Sequence, residues 1–197
     1  GIDVALRVFE LLGSFRLEKF KNDGDLIRKG DIIAEIEGPT KLLLKGERTS
    51  LNLIQHMSGI ATQTFEAAEL IKGTNATVTD TRKTLPGLRA LQKYAVTCGG
   101  GKNHRFNLSD AAMLKDNHID ACGSITKAVS VLRGKIGHTV KIEVETRNLD
   151  EVAEALATGC EIIMLDNMDC ETMRKAVEMT NGKALLEASG NITAETI

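Results

Sequence analysis

Apolar residues recur at three- and four-residue steps through Leu51, Ile54, Met57, Ile60, Ala61, Phe65, Ala68 and Ile71, which predicts a long helix over residues 48–72. Gly73 and Asn75 stop it. A shorter helical pattern covers residues 2–12. Between the two the pattern changes. The turn signals Asn22-Asp23-Gly24-Asp25 and Lys29-Gly30-Asp31 separate short apolar stretches at Leu26-Ile27 and Ile32–Ile36. Short strands of a small α/β or all-β module are expected there, closed by Gly38-Pro39. Thr77-Val78-Thr79 reads as a strand ending near Asp80 to Arg82, and a helix restarts after Pro86-Gly87 through Leu88, Leu91 and Tyr94.

The last third alternates regularly. Strands are predicted at residues 140–145, 161–165 and 184–187. Helices are predicted at 150–158 and 171–179, closed by Gly159 and by Asn181-Gly182, with a further helix opening at Thr193. Strand ends recur after about 21–23 residues, the repeat of strand–helix–strand units. Such units build a parallel sheet, open or closed into a barrel, whose active groups lie at the carboxyl ends of the strands. Those ends carry Arg82-Lys83, Glu145, Asp166 and Ser189-Gly190. There is no GxGxxG and no P-loop, which argues against a Rossmann or Walker nucleotide site.

Composition adds bounds. The 197 residues fit one medium domain, or a small one with a medium one. Aromatic residues are 3% and Trp is absent, so the core must be aliphatic. A formal net charge of -2 points to neither nucleic acid nor a membrane surface, and no apolar run reaches bilayer length. The four cysteines (Cys98, Cys122, Cys160 and Cys170) form no CxxC pair and read as reduced thiols of a cytoplasmic protein. No signal peptide opens the chain, but Gly1 is not an initiator methionine, so an upstream segment of unknown targeting content is expected.

The charges are segregated. Residues 82–115 hold seven Lys or Arg and one acid, Asp110. Such a centre suits a small ligand bearing several carboxylates, because Arg binds carboxylate bidentately and Lys adds a point charge. The alternative is a solvated face. Gly99-Gly100-Gly101 beside His104-Arg105 favours the ligand, since glycine lets backbone approach it closely. His118 is a weaker candidate, while His56 and His138 read as structural; no histidine pair has zinc-ligand spacing. Residues 143–171 hold nine acids and one Arg, most of them on predicted helices. Glu145 and Asp166 differ, because each falls at a strand terminus on one rim and the two suit Mg²⁺ bridged to substrate phosphates. For Asp166 a helix N-cap is the alternative, a role open also to Asn167 and Asp169. Ser189-Gly190 before a helix would suit a phosphate.

Together, Glu47–Asn52, Ser58–Thr62, Thr81-Arg82-Lys83-Thr84 with Pro86–Arg89, Lys93–Val96, Cys98–Arg105, Lys115–His118, Met164–Asn167 and Glu187–Gly190 resemble the quinolinate phosphoribosyltransferase family. The matches are colinear from about Val4 to Ile192. The resemblance implies an α/β fold: part of an N-terminal open α/β sandwich (residues 1–46), then an incomplete α/β barrel (47–197) with its active site at the strand carboxyl ends. It implies longer members, with the start of the sandwich and a second phosphate-binding turn lying outside these residues. It implies a homodimer or a hexamer of dimers. The implied reaction joins quinolinate to 5-phosphoribosyl 1-pyrophosphate and releases pyrophosphate and CO₂, giving nicotinate mononucleotide for NAD synthesis. The implied catalytic set is Lys83, Lys115, Glu145 and Asp166. Arg82, Lys83, His104, Arg105 and Lys115 would hold quinolinate, with Arg48 reaching in from the neighbouring subunit. Glu145 and Asp166 would hold Mg²⁺ and the donor's ribose, and Ser189 and Gly190 the 5-phosphate.

Two other readings compete. A same-fold paralogue acting on another aromatic acid should differ at Arg82, Lys83 or Arg105, and all three are present. The segment from Asp23 to Ile36 loosely resembles a biotinyl or lipoyl carrier hairpin, but Lys29 lies between Arg28 and Gly30, without the Met-Lys context an acceptor needs.

Overall fold

The computed structural model describes residues Gly1–Ile197, which form two compact units, Gly1–Phe106 and Asn107–Ile197.

The first unit opens with α1 (Ile2–Glu10), whose buried Ile2, Ala5, Leu6 and Phe9 follow the predicted helical spacing. An antiparallel pair follows, β1 (Arg16–Lys19) and β2 (Ala34–Glu37), registered Arg16 to Glu37 and Leu17 to Ile36. The strand expected at Leu26-Ile27 does not form; those residues are irregular, and the partner of β2 is the charged, fully exposed β1. Helix α2 (Thr40–Leu70) begins eight residues earlier than expected and runs unbroken through Gly46. Pro39 occupies its N-cap, where a missing N–H costs nothing. A Cβ at Gly46 would lie 2.6 Å from the Phe9 ring, so glycine here admits α1 onto α2. Helix α3 (Arg89–Cys98) follows. The strand expected at Thr77–Thr79 shortens to one parallel bridge, Thr79 to Lys102.

The second unit is a four-stranded parallel sheet, ordered β3 (Ala112–Leu114), β4 (Ile142–Thr146), β5 (Ile162–Asp166), β6 (Leu185–Ser189). Helices α4 (Asp116–Cys122), α5 (Ile125–Arg133), α6 (Leu149–Ala157) and α7 (Cys170–Thr180) connect the strands. Each of the last three starts on a side-chain cap: Ser124 accepts from Lys127 N, Asn148 from Glu151 N and Asp169 from Thr172 N. The helix expected from Thr193 does not form, and residues 193–196 close a single turn.

The register sorts the side chains of this sheet onto two faces, because paired residues of neighbouring strands point the same way. Leu114, Ile142, Val144, Ile163 and Leu165 share one face and form the aliphatic core with Ile125, Val129, Val152, Ala155 and Ala176 of the helices. Burying each large aliphatic side chain contributes about 1.5–3 kcal/mol. The other face carries Glu143, Glu145, Asp166, Glu187 and Ser189. This polar face also carries Met113, Ile162, Met164 and Leu185.

Candidate active site

In the first unit the basic residues lie on two irregular segments. One carries Arg82 (half-buried) and Lys83 (exposed); the other carries His104 and Arg105, both half-buried. The Thr79–Lys102 bridge joins their bases, with Asp80 N donating to Lys102 O at 3.2 Å. Beyond it, side chains hold the segments. The buried Lys93 ammonium pairs with Asp80 and donates to His104 O at 2.9 Å, while Asp80 Oδ1 also accepts from His104 N at 2.9 Å. Arg105 N donates to His104 Nδ1 at 2.8 Å, which leaves the proton of the neutral ring on Nε2.

The three glycines have a different role from the one expected. A Cβ on Gly99 would lie 2.3 Å from Ala61 O, and one on Gly101 would lie 2.8 Å from Thr64 Cγ2, so both admit α2. Gly100 takes a φ of +89°, which favours glycine. Packing thus accounts for Gly99 and Gly101, and backbone conformation for Gly100. Arg48 lies exposed on α2. His56 meets Gln92 of α3 at 2.9 Å, a structural contact as expected. The first unit's cleft of about 280 Å³, lined by Asp23, Leu26, Ile54, Met57 and Phe65 among others, contains none of the expected site residues.

In the second unit the expected residues meet at the carboxyl edge of the sheet. Lys115 follows β3 and its ammonium lies 3.3 Å from Glu145 Oε2. Asp166 ends β5 and is paired in register with Ser189, the end of β6. Glu145 is paired with Met164, two residues before Asp166, so both carboxylates share the polar face. Asn167 takes a φ of 53° and links the strand ends: its N donates to Ser189 O at 2.8 Å and its Nδ2 to Asp166 Oδ2 at 3.0 Å. Gly190 packs on it so closely that a Cβ would sit 2.3 Å from Asn167 Oδ1. A hollow of about 420 Å³ opens beside these strand ends, lined by Arg147, Asn148, Asp150, Asn167, Asp169 and Thr172. His118 Nδ1 accepts from Lys115 N at 3.1 Å and closes the cap of α4, a structural use that replaces the ligand contact considered for it.

The sequence reading missed Asp80 and Lys93 as a pair, the linking role of Asn167, and Glu143, which is fully buried on the polar face. A Lys inside a helix and an Asp after a short apolar run carry no signal of being partners. Glu143 was legible only as part of an alternating strand.

Models of the N-terminal and C-terminal domains of quinolinate phosphoribosyl transferase match residues 1–58 and 60–197. The chain belongs to this family. Among its curated relatives, the probable nicotinate-nucleotide pyrophosphorylase (carboxylating) of Bacillus subtilis is 51% identical over 177 residues. The match takes in 90% of the chain and 61% of that protein. The corresponding protein of Synechocystis is 48% identical over 98% of the chain and 67% of its own length. The crystal structure of NadC from Streptococcus pyogenes superposes with a TM-score of 0.94 at 46% identity, over all of the chain and 70% of that one. The chain thus spans 61–70% of the length of these proteins. The α/β fold with parallel strands expected from the sequence is the fold observed, and the α/β architecture is shared with these structures.

Proposed function

We propose that the protein is a nicotinate-nucleotide pyrophosphorylase (carboxylating), which joins quinolinate to 5-phosphoribosyl 1-pyrophosphate and yields nicotinate mononucleotide, pyrophosphate and CO₂. The observation that carries this is the sheet's polar face, which in a chain of this family brings Lys115, Glu145, Asp166 and Ser189 to one edge. In this reading residues 1–46 belong to a sandwich domain and 47–197 to a barrel domain, and the protein works in the cytoplasm. No helix is long and apolar enough to cross a membrane.

The roles follow from charge. Arg82, Lys83 and Arg105 bind the two carboxylates of quinolinate, with His104 beside them. Ser189 and Gly190 receive the 5-phosphate. Glu145 and Asp166 bind the ribose hydroxyls and, as neighbouring hard oxygen donors on one face, fit Mg²⁺, which would neutralise charge on the diphosphate. The C1–O bond to diphosphate breaks, the ribose carbon gains oxocarbenium character, and the pyridine nitrogen donates its lone pair to that carbon. The two carboxylates stabilise the positive charge as it develops. The 2-carboxylate then leaves as CO₂, its bonding electrons accepted by the quaternised ring and its place taken by a proton from solvent. Lys115, 3.3 Å from Glu145, holds that carboxylate in position and adds positive charge for the substrate.

The test is direct. Full-length protein incubated with quinolinate, 5-phosphoribosyl 1-pyrophosphate and Mg²⁺ should produce nicotinate mononucleotide and labelled CO₂ from 2-carboxyl-labelled quinolinate. Turnover of a different aromatic acid in its place would overturn the assignment.

A further inference from the structure

We propose that Arg89 and Lys93, one turn apart on α3, are positioning residues that fix the two basic segments in the spacing that quinolinate requires. The inference rests on the phosphoribosyl-transfer reading above.

Quinolinate is rigid, with carboxylates on adjacent ring carbons. Its recognition therefore depends on guanidinium and ammonium groups held at a set separation. Yet Arg82-Lys83 and His104-Arg105 lie on irregular backbone joined by one strand-like bridge. Such loops have no ladder to define their spacing. Helix α3 provides the definition. The Arg89 guanidinium donates to both segments: Nη2 to Arg82 O at 3.3 Å, Nε to Thr84 Oγ1 at 3.1 Å, and Nη1 to Phe106 O at 3.1 Å. It also lies 6.0 Å from the centre of the Phe106 ring.

Lys93 lies four residues on and so on the same side of the helix. It grips the first segment through Asp80 and the second through His104 O at 2.9 Å. Asp80 completes the crosslink by accepting from His104 N. The Asn103 amide faces Asp80 Oδ2 at 2.6 Å and Lys93 O at 2.9 Å. The side chains of Lys93 and Asp80 are 2% and 7% exposed. Buried ion pairs are often no more stabilising than apolar residues of the same volume. Stability alone is thus a weak reason for this one, whereas its contacts with the backbone of His104 give it a geometric role. A Lys so buried is a poor candidate for a ligand contact, which makes it a positioning residue.

The experiment uses full-length Arg89→Ala and the double variant Asp80→Leu with Lys93→Met, which removes both buried charges together and so avoids stranding either. Calorimetry measures quinolinate and 5-phosphoribosyl 1-pyrophosphate separately. Thermal melting reports the fold, and amide hydrogen exchange reports residues 102–106 without ligand. Quinolinate Kd should rise about ten- to hundredfold and the donor's Kd stay within about twofold, because only the quinolinate-binding geometry is loosened. The His104 and Arg105 amides should exchange faster while the melting temperature holds. Unchanged quinolinate affinity in a folded variant overturns the proposal, as does a parallel fall in both affinities and the melting temperature. Should the unaltered protein fail to bind quinolinate, the functional reading falls instead, and the exchange data still decide whether α3 fixes the segments.

Discussion

Asp166 ends β5 and a helix follows it, yet Asp169 caps that helix, accepting Thr172 N at 2.7 Å. The cap alternative for Asp166 thereby loses its support. Asp166→Asn keeps an oxygen to accept from Asn167 and leaves the cap of α7 intact, so it should melt within about 0.5 kcal/mol of the parent. If the carboxylate meets Mg²⁺ and ribose, turnover should fall by at least about a hundredfold, since the charge is worth several kcal/mol in the transition state. The Mg²⁺ concentration for half-maximal rate should rise as well. Near-normal turnover in a steady-state titration of Mg²⁺ would remove Asp166 from the machinery. The contrast with the Gly99–Gly101 run is instructive. There a local motif pointed to a ligand, while packing against α2 accounts for Gly99 and Gly101 and a positive φ for Gly100. The charge of Asp166 and its place at a strand end were legible; which acid capped the helix depended on backbone geometry.

Among the elements, the parallel sheet carries different chemistry at its two ends. Its carboxyl edge gathers Lys115, Glu145, Asp166 and Ser189, whereas its amino edge is tied together by Glu161. Glu161 Oε2 accepts from Ile142 N of β4 at 2.7 Å, and Oε1 accepts from Arg133 of α5 at 2.5 Å. Partial burial pushes the Glu161 carboxyl up, but these donors outweigh it and hold the group below its ordinary value of 4.5. A depressed carboxylate stabilises the fold above its ordinary value, and the contribution fades as pH falls through the lower folded value. Glu161→Gln cannot titrate. Chemical denaturation from about pH 6 to pH 3 should therefore show the parent losing stability more steeply, with the two converging at the acid end. A constant difference across that range would show that Glu161 contributes no linkage. The strongly periodic elements, β4 to β6 with α6 and α7, were legible to within a residue or two at most ends. The three-residue β3 and the seven-residue α4 are too short to show a period, and the charged β1 has no apolar face to reveal it.

At the scale of the whole molecule, the homodimer that the family resemblance implies, alone or within a hexamer of dimers, makes a claim that mixing experiments can decide. Arg48 is exposed on α2, and family resemblance assigns it to the quinolinate pocket of a neighbouring subunit. Lys115 is assigned to its own subunit, beside Glu145. Full-length Arg48→Ala and Lys115→Ala should each be nearly inactive alone. Refolding them together in equal amounts produces hybrids. If Arg48 crosses the interface, one site of each hybrid collects both lesions and the other collects none. Random pairing puts half of the dimers in hybrids, so roughly a quarter of all sites should be intact. If Arg48 served its own subunit, every site in every dimer would carry one lesion, and mixing would restore nothing. Activity near a quarter of the parent's supports sharing across a two-fold interface. Persistent inactivity, with hybrid dimers confirmed by native mass spectrometry, would return Arg48 to its own chain.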